Sequence, residues 1–179
     1  MKKIIVSFIL VCLLASVVTG CSSNSAPTFK TFTPEDASFS IDFPGDPTTQ
    51  SQSMDTPSGE MKINTFMLEG KEAVYTVATT LLPEEVLNQP VDEFLMNACN
   101  GAVAQTQGTN DVIEDVTIDG YAGKYVIYDI NNNGKAAKAH QKIFVAENTM
   151  YQLMVINVDD EKSKESREKF FNSFSITKK

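Results

Sequence analysis

Met150-Tyr151-Gln152-Leu153-Met154-Val155-Ile156 alternates without a break. On an extended chain Tyr151, Leu153 and Val155 fall on one side and Met150, Met154 and Ile156 on the other, because successive strand side chains point to opposite faces. Apolar residues on both sides imply a strand within a sheet that is covered on both faces. The same pattern, in weaker form, spreads through the chain. Val112 to Ile118, Tyr121 to Ile130 and Ala139 to Glu147 read as three strands leading up to it, and Met150 to Val158 bounds the strand itself. Earlier, Phe39-Ser40-Ile41-Asp42-Phe43 alternates and stops at Pro44-Gly45-Asp46-Pro47. Met61 to Leu68 and Ala73 to Leu82 follow as a strand pair joined around Glu69-Gly70-Lys71, with a turn at Ser58-Gly59 before them.

Two segments have helical spacing. From Pro90 to about Gln105, Val91, Phe94, Leu95, Ala98, Cys99, Ala102 and Val103 form one apolar stripe. Proline costs no hydrogen bond at a first helical position, and Asp92 and Glu93 suit the positive end of the helix dipole. Asp160 to about Phe171 reads as a second helix capped by Asp159 or Asp160, with Glu165 and Lys169 in the favourable i,i+4 order. That helix is mostly charged, so Phe170, Phe171 and Phe174 must dock its end. Ser175-Ile176-Thr177 can add a last short strand. No repeat of 20–50 residues is visible.

Taken together, Phe39 to Pro44, the strand pair, the mid-chain helix, Val116-Thr117-Ile118-Asp119-Gly120-Tyr121-Ala122-Gly123, and the long strand leading to Phe170-Phe171-Asn172-Ser173-Phe174 resemble the PsbP-like family. The resemblance covers about residues 37–177. It implies an α+β fold: an α/β/α sandwich with a mainly antiparallel sheet flanked by helices. It also implies proteins that act by binding, as lipoproteins or extrinsic subunits. No metal-binding or partner-binding residue transfers position by position.

The amino end carries a different message. Lys2 and Lys3 precede the apolar run Ile4 to Val18, and Val18-Thr19-Gly20-Cys21 closes it. This resembles the lipobox of bacterial lipoproteins, with Cys21 as the lipidated residue and cleavage after Gly20. The run is 15 residues, short of the roughly 18 that span a bilayer, and the next positive charge is Lys30. The expected organisation is a signal peptide over residues 1–20, a lipidated tether over 21–33 and a single domain over 34–179. Two or more acyl chains on one cysteine give stable anchoring. The resulting localisation is extracytoplasmic, on the cell membrane or an outer membrane.

Composition narrows the function. Without residues 1–20 the chain keeps 13 basic against 23 acidic side chains, a net charge of −10. That excludes nucleic acid as a partner and a basic face for anionic lipid. Partners are therefore the membrane, through the anchor, and an unidentified protein or small molecule. Of three cysteines, Cys12 leaves with the leader and Cys21 is lipidated, so Cys99 is the one thiol left and no internal disulfide can form.

Four groupings carry side chains capable of chemistry. Asp129-Ile130-Asn131-Asn132-Asn133-Gly134 matches the first half of a calcium loop, but position twelve is His140 where a glutamate is needed. It reads better as a hairpin tip with Asn133-Gly134 at positive φ. His140, the single histidine, has no G-x-S-x-G serine and no zinc-ligand spacing to work with, and reads as an exposed strand residue. Cys99 lies on the apolar stripe of the first helix and reads as buried. The neighbouring acids Glu84-Glu85, Glu114-Asp115 and Asp159-Asp160 do not face one another in a helix or strand. The chain is thus expected to be a non-enzymatic binding or assembly module without a cofactor or metal. The alternatives are an enzyme site assembled from Glu84, Asp129 and His140, and calcium binding at Asp129–Gly134.

Overall fold

The computed structural model describes residues 28–56, 59–132, 134–158 and 160–177. The leader, Cys21, Ser58, Asn133 and Asp159 lie outside these residues. Ten strands and three helices follow one another: β1 (Lys30–Phe32), β2 (Phe39–Phe43), β3 (Thr48–Thr56), β4 (Gly59–Glu69), β5 (Ala73–Leu81), α1 (Glu84–Leu87), α2 (Val91–Gln105), β6 (Thr109–Ile118), β7 (Tyr121–Asn132), β8 (Lys135–Ala146), β9 (Thr149–Asn157), α3 (Asp160–Asn172) and β10 (Ser175–Ile176). Seven strands form one sheet in the order β3-β4-β5-β9-β8-β7-β6, and β1-β2-β10 form a small second sheet. Every pairing is antiparallel. The architecture is α+β, a mainly antiparallel sheet flanked by helices.

The alternating strand Met150–Ile156 lies in β9, in the middle of the large sheet, between β5 and β8. Its two apolar sides feed two cores. Tyr151, Leu153 and Val155 join Phe39, Ile41 and Phe43 of the small sheet and Phe170, Phe171 and Phe174 from the end of α3. On the other side Met150 packs with Leu95, Cys99 and Val103 of α2 and with Tyr128, Ala139 and Ile143 of the sheet. Pro90 precedes the first turn of α2 as its N-cap, one residue outside the position expected for it, and Asp92 and Glu93 fill the first turn.

Cover on the second face is incomplete. Helix α2 lies across β6, β7 and β8. At the other end Ile63, Met67, Val74 and Ala78 stay half-exposed, whereas the sequence pattern implied cover throughout. Two further boundaries differ from expectation. Lys30–Phe32, placed in the tether by its Ser/Thr/Pro-rich surroundings, is strand β1. It pairs with β2 because Phe29 and Phe32 have a core to bury in. Thr48–Thr56 is strand β3, although TTQSQSMDT shows no apolar alternation.

Candidate functional site

Asp129 lies in strand β7 rather than in the turn that follows it. It sits in the β7–β8 ladder opposite Lys138. Its carboxylate accepts from Lys138 Nζ at 2.7 Å and from Asn110 Nδ2 at 3.0 Å. These donors hold the Asp129 pKa below the usual carboxylate range. Beyond it the chain turns over, and Asn131 Oδ1 accepts the Gly134 backbone N–H at 2.7 Å, with Gly134 at φ 82°. The side-chain oxygen that a cation would need is thus engaged in closing the turn.

His140 is buried, 2% exposed, where the sequence predicted an exposed strand residue. The reason is a partner fifteen residues away: Tyr125 Oη lies 2.7 Å from His140 Nδ1. Tyr125 and His140 occupy diagonal positions on one face of the β7–β8 hairpin, within reach of long side chains. Burial of an imidazole is tolerable when its polar atoms are bonded. Lys142 sits beyond it, its ammonium 4.9 Å from the Phe171 ring centre, and burial lowers its pKa.

Glu84 stands apart from the other two groups of the scattered-site alternative, whereas Asp129 and His140 share one face of the β7–β8 hairpin at diagonal positions. His140 faces the α3 side of the sheet with Tyr125 and Lys142. Glu84 opens α1, whose Val86 and Leu87 pack into the α2 side. The sheet lies between them. Cys99 is fully buried, as expected, and burial pushes its thiol up to about 11 despite the Lys124 charge that draws it down. A thiol held protonated in this way is a poor nucleophile. Among the described residues no group of three or more His, Cys, Asp or Glu side chains stands close enough to hold a metal.

Two depressions among the described residues exceed 400 Å³. The larger, about 560 Å³, opens at the start of α2 between Asp92, Leu95, Asp115, Thr117 and Gly123. At its side Lys124, 5% exposed, donates to Asp92 Oδ1 and Asp115 Oδ1 at 2.5 Å each, which raises its pKa. The lysine pins α2 to the β6–β7 hairpin while both carboxylates reach solvent. The site therefore presents apolar walls and a rim of two carboxylates that one internal cation only half neutralises. The second groove, about 420 Å³, runs between the β1–β2 connection and the β3–β4 edge, over Phe32, Pro34, Thr49, Lys62, Asn64 and Phe66. Sequence reasoning missed both. Lys124 across from Asp115 on a predicted hairpin was the one available signal for the first.

Among the described residues no helix is long and apolar enough to cross a membrane. No family model and no curated protein sequence matches the chain. Solved structures do. The solution structure of cyanobacterial PsbP (CyanoP) from Synechocystis is similar over 88% of this chain and 98% of its own, at 11% identity and a TM-score of 0.53. A protein of unknown function from Pseudomonas aeruginosa is similar over 84% and 99%, at 11% identity and a TM-score of 0.48. LpqN of Mycobacterium tuberculosis, described as involved in cell envelope biogenesis, is similar over 87% of each chain, at 15% identity and a TM-score of 0.45. The likeness to CyanoP shows the PsbP-like fold expected from the sequence.

Proposed function

We propose that this protein is a lipid-anchored, extracytoplasmic binding or assembly module that catalyses no reaction. The observation that carries the reading is a succession in the sequence: Lys2-Lys3, the apolar run and Val18-Thr19-Gly20-Cys21. Acyl chains on Cys21 would hold an acidic body beside a bilayer that its own net charge repels. The engagement of Asp129 and the burial of His140 and Cys99 support a binding role, since these three groups are occupied or inaccessible. Of the two depressions, the cleft at the start of α2 is the better seat for a small ligand, because it is the larger and joins apolar walls to two exposed carboxylates.

The test is direct. Mass spectrometry of the processed protein should find residue 21 at the amino end, carrying diacylglyceryl on its sulfur. Cys21→Ala should leave the leader uncut and the sulfur-linked lipid absent. An unmodified sulfur on a wild-type chain beginning at Met1 would end the proposal. For the calcium alternative, calorimetric titration to millimolar calcium should give no binding heat.

A further inference from the structure

The two edges of the large sheet are built differently. Strand β6 protects itself: its register with β7 shifts between Thr109 and Val112, Asn110 has φ 55°, and Asp111, Glu114 and Asp115 line it. Irregular pairing and charge are the usual means of keeping a foreign strand off an edge. Strand β3 is regular and carries little charge. Its nine residues pair with β4 in unbroken register from Thr48↔Met67 to Thr56↔Gly59. Within Thr48-Thr49-Gln50-Ser51-Gln52-Ser53-Met54-Asp55-Thr56 there is one charge and no proline. Residues 48–53 are all exposed.

This edge is also self-complementary. An antiparallel pairing of two identical strands across a two-fold axis must place one residue opposite its own copy. With Gln52 at the axis, Gln52 faces Gln52, Ser51 faces Ser53, Gln50 faces Met54 and Thr49 faces Asp55. No like charges stand opposite each other, and hydroxyl and amide pairs are favourable cross-strand partners. The axis is normal to the sheet, so the small sheets of both copies lie on the same side. The described chain begins at Thr28 and runs directly into β1 on that side, so the described amino ends of both copies lie on one side of the joined sheet. A second copy in the same membrane meets this geometry.

We propose that two copies of this protein join through their β3 strands, Gln52 opposite Gln52, into one continuous fourteen-stranded antiparallel sheet. Confinement to a membrane plane raises the effective concentration of each copy for the other; this part rests on the anchoring proposed above. The acidic bodies repel, so the dimer is expected to strengthen as salt rises and screens them.

Single-cysteine scanning on the full chain in its membrane tests the pairing. Gln52→Cys places two thiols directly opposite, with Cβ atoms about 5 Å apart, so mild oxidation should give a covalent dimer on a non-reducing gel. Thr48→Cys, at the strand end, sits roughly 26 Å from its own copy at about 3.3 Å per residue, and should stay monomeric. The wild type, with Cys99 buried, is the control. Gln52→Lys sets like charges face to face without touching the β4 side of the ladder. It should convert the detergent-solubilised wild-type dimer into a monomer by light scattering. A wild type that is monomeric by light scattering, with no 52–52 cross-link, overturns the proposal. So do equal cross-linking at 48 and 52, which marks random collision, and a 52-linked product containing a different protein. Mass spectrometry of Cys21 on the same sample separates the two readings. An acylated chain that fails to link at 52 loses the dimer alone, and an unacylated one that links at 52 loses only the anchor.

Discussion

A methyl group added to Gly123 and one added to Gly101 have opposite consequences. A Cβ on Gly123 would stand 2.7 Å from the Ile143 carbonyl oxygen, 2.8 Å from Phe144 Cβ and 2.9 Å from Ile118 Cδ1. The backbone of β8 cannot retreat from it, so Gly123→Ala should cost about 1–3 kcal/mol, read as a lower urea midpoint. Gly101 lies on the exposed side of α2 with nothing within 4 Å of such a Cβ. Gly101→Ala should stabilise by about 0.5–1 kcal/mol in the same measurement. Lys124 makes a similar contrast. Its ammonium is buried while Asp92 and Asp115 are 81% and 86% exposed in their side chains. Lys124→Met returns two carboxylates to water, whereas Asp92→Asn with Asp115→Asn strands a buried cation. The double substitution should therefore lower the melting temperature more than the single one. Cys99 gives a pH signature. Its folded pKa, raised from 9.0 to about 11, lies above its value in the unfolded chain, so its contribution is whole below pH 9 and is lost as pH rises through 11. Lys142, with a lowered pKa, acts in the opposite sense. Unfolding midpoints between pH 8 and 11 should fall more steeply for the wild type than for Cys99→Ala.

At the scale of elements, what the sequence revealed depended on apolar contrast. Strands β2, β4, β5, β7, β8 and β9 were readable because each carries apolar residues into a core. Strand β3 carries almost none, since an edge strand exposed along its length has no burial to write a pattern. The small strand β1 was hidden by its polar surroundings, and α1 is too short for periodicity to define. The candidate site was less legible still. That His140 is buried depends on Tyr125, and nothing in a linear reading says which of two strand faces receives a helix. Helix α3 was legible from its acidic cap and the Glu165–Lys169 pair, and its docking from the phenylalanines at and just past its end. Phe170 meets the rings of Phe43, Tyr75 and Phe171, with centroids 5.2, 5.3 and 5.7 Å away. Phe170→Ala should cost about 3–5 kcal/mol and loosen α3 first, visible as early hydrogen exchange along that helix.

For the whole molecule, cohesion comes from hydrophobic burial on both sides of one sheet, and among the described residues no disulfide assists it. Its last residues belong to the frame. Phe174 packs on Phe39 and Tyr151, Ser173 Oγ accepts the Asp42 backbone N–H at 2.9 Å, and β10 pairs with β2. A chain ending at Asn172 loses all three. The ring alone is worth about 3–5 kcal/mol against a usual total of about 5–15. Such a chain should lose its near-ultraviolet dichroism at 37 °C.

That clasp between β2 and β10 also sets an order of events. The Asp42–Ser173 bond joins residues 131 apart in the sequence. A polypeptide made from its amino end at about 5–20 residues per second leaves Phe39, Ile41 and Phe43 waiting roughly 7–26 s for their cover. Over that interval the nascent protein presents three sticky side chains to whatever meets it first. A holding chaperone at that moment, rather than any bond in the finished molecule, would decide how many chains mature and how many clump.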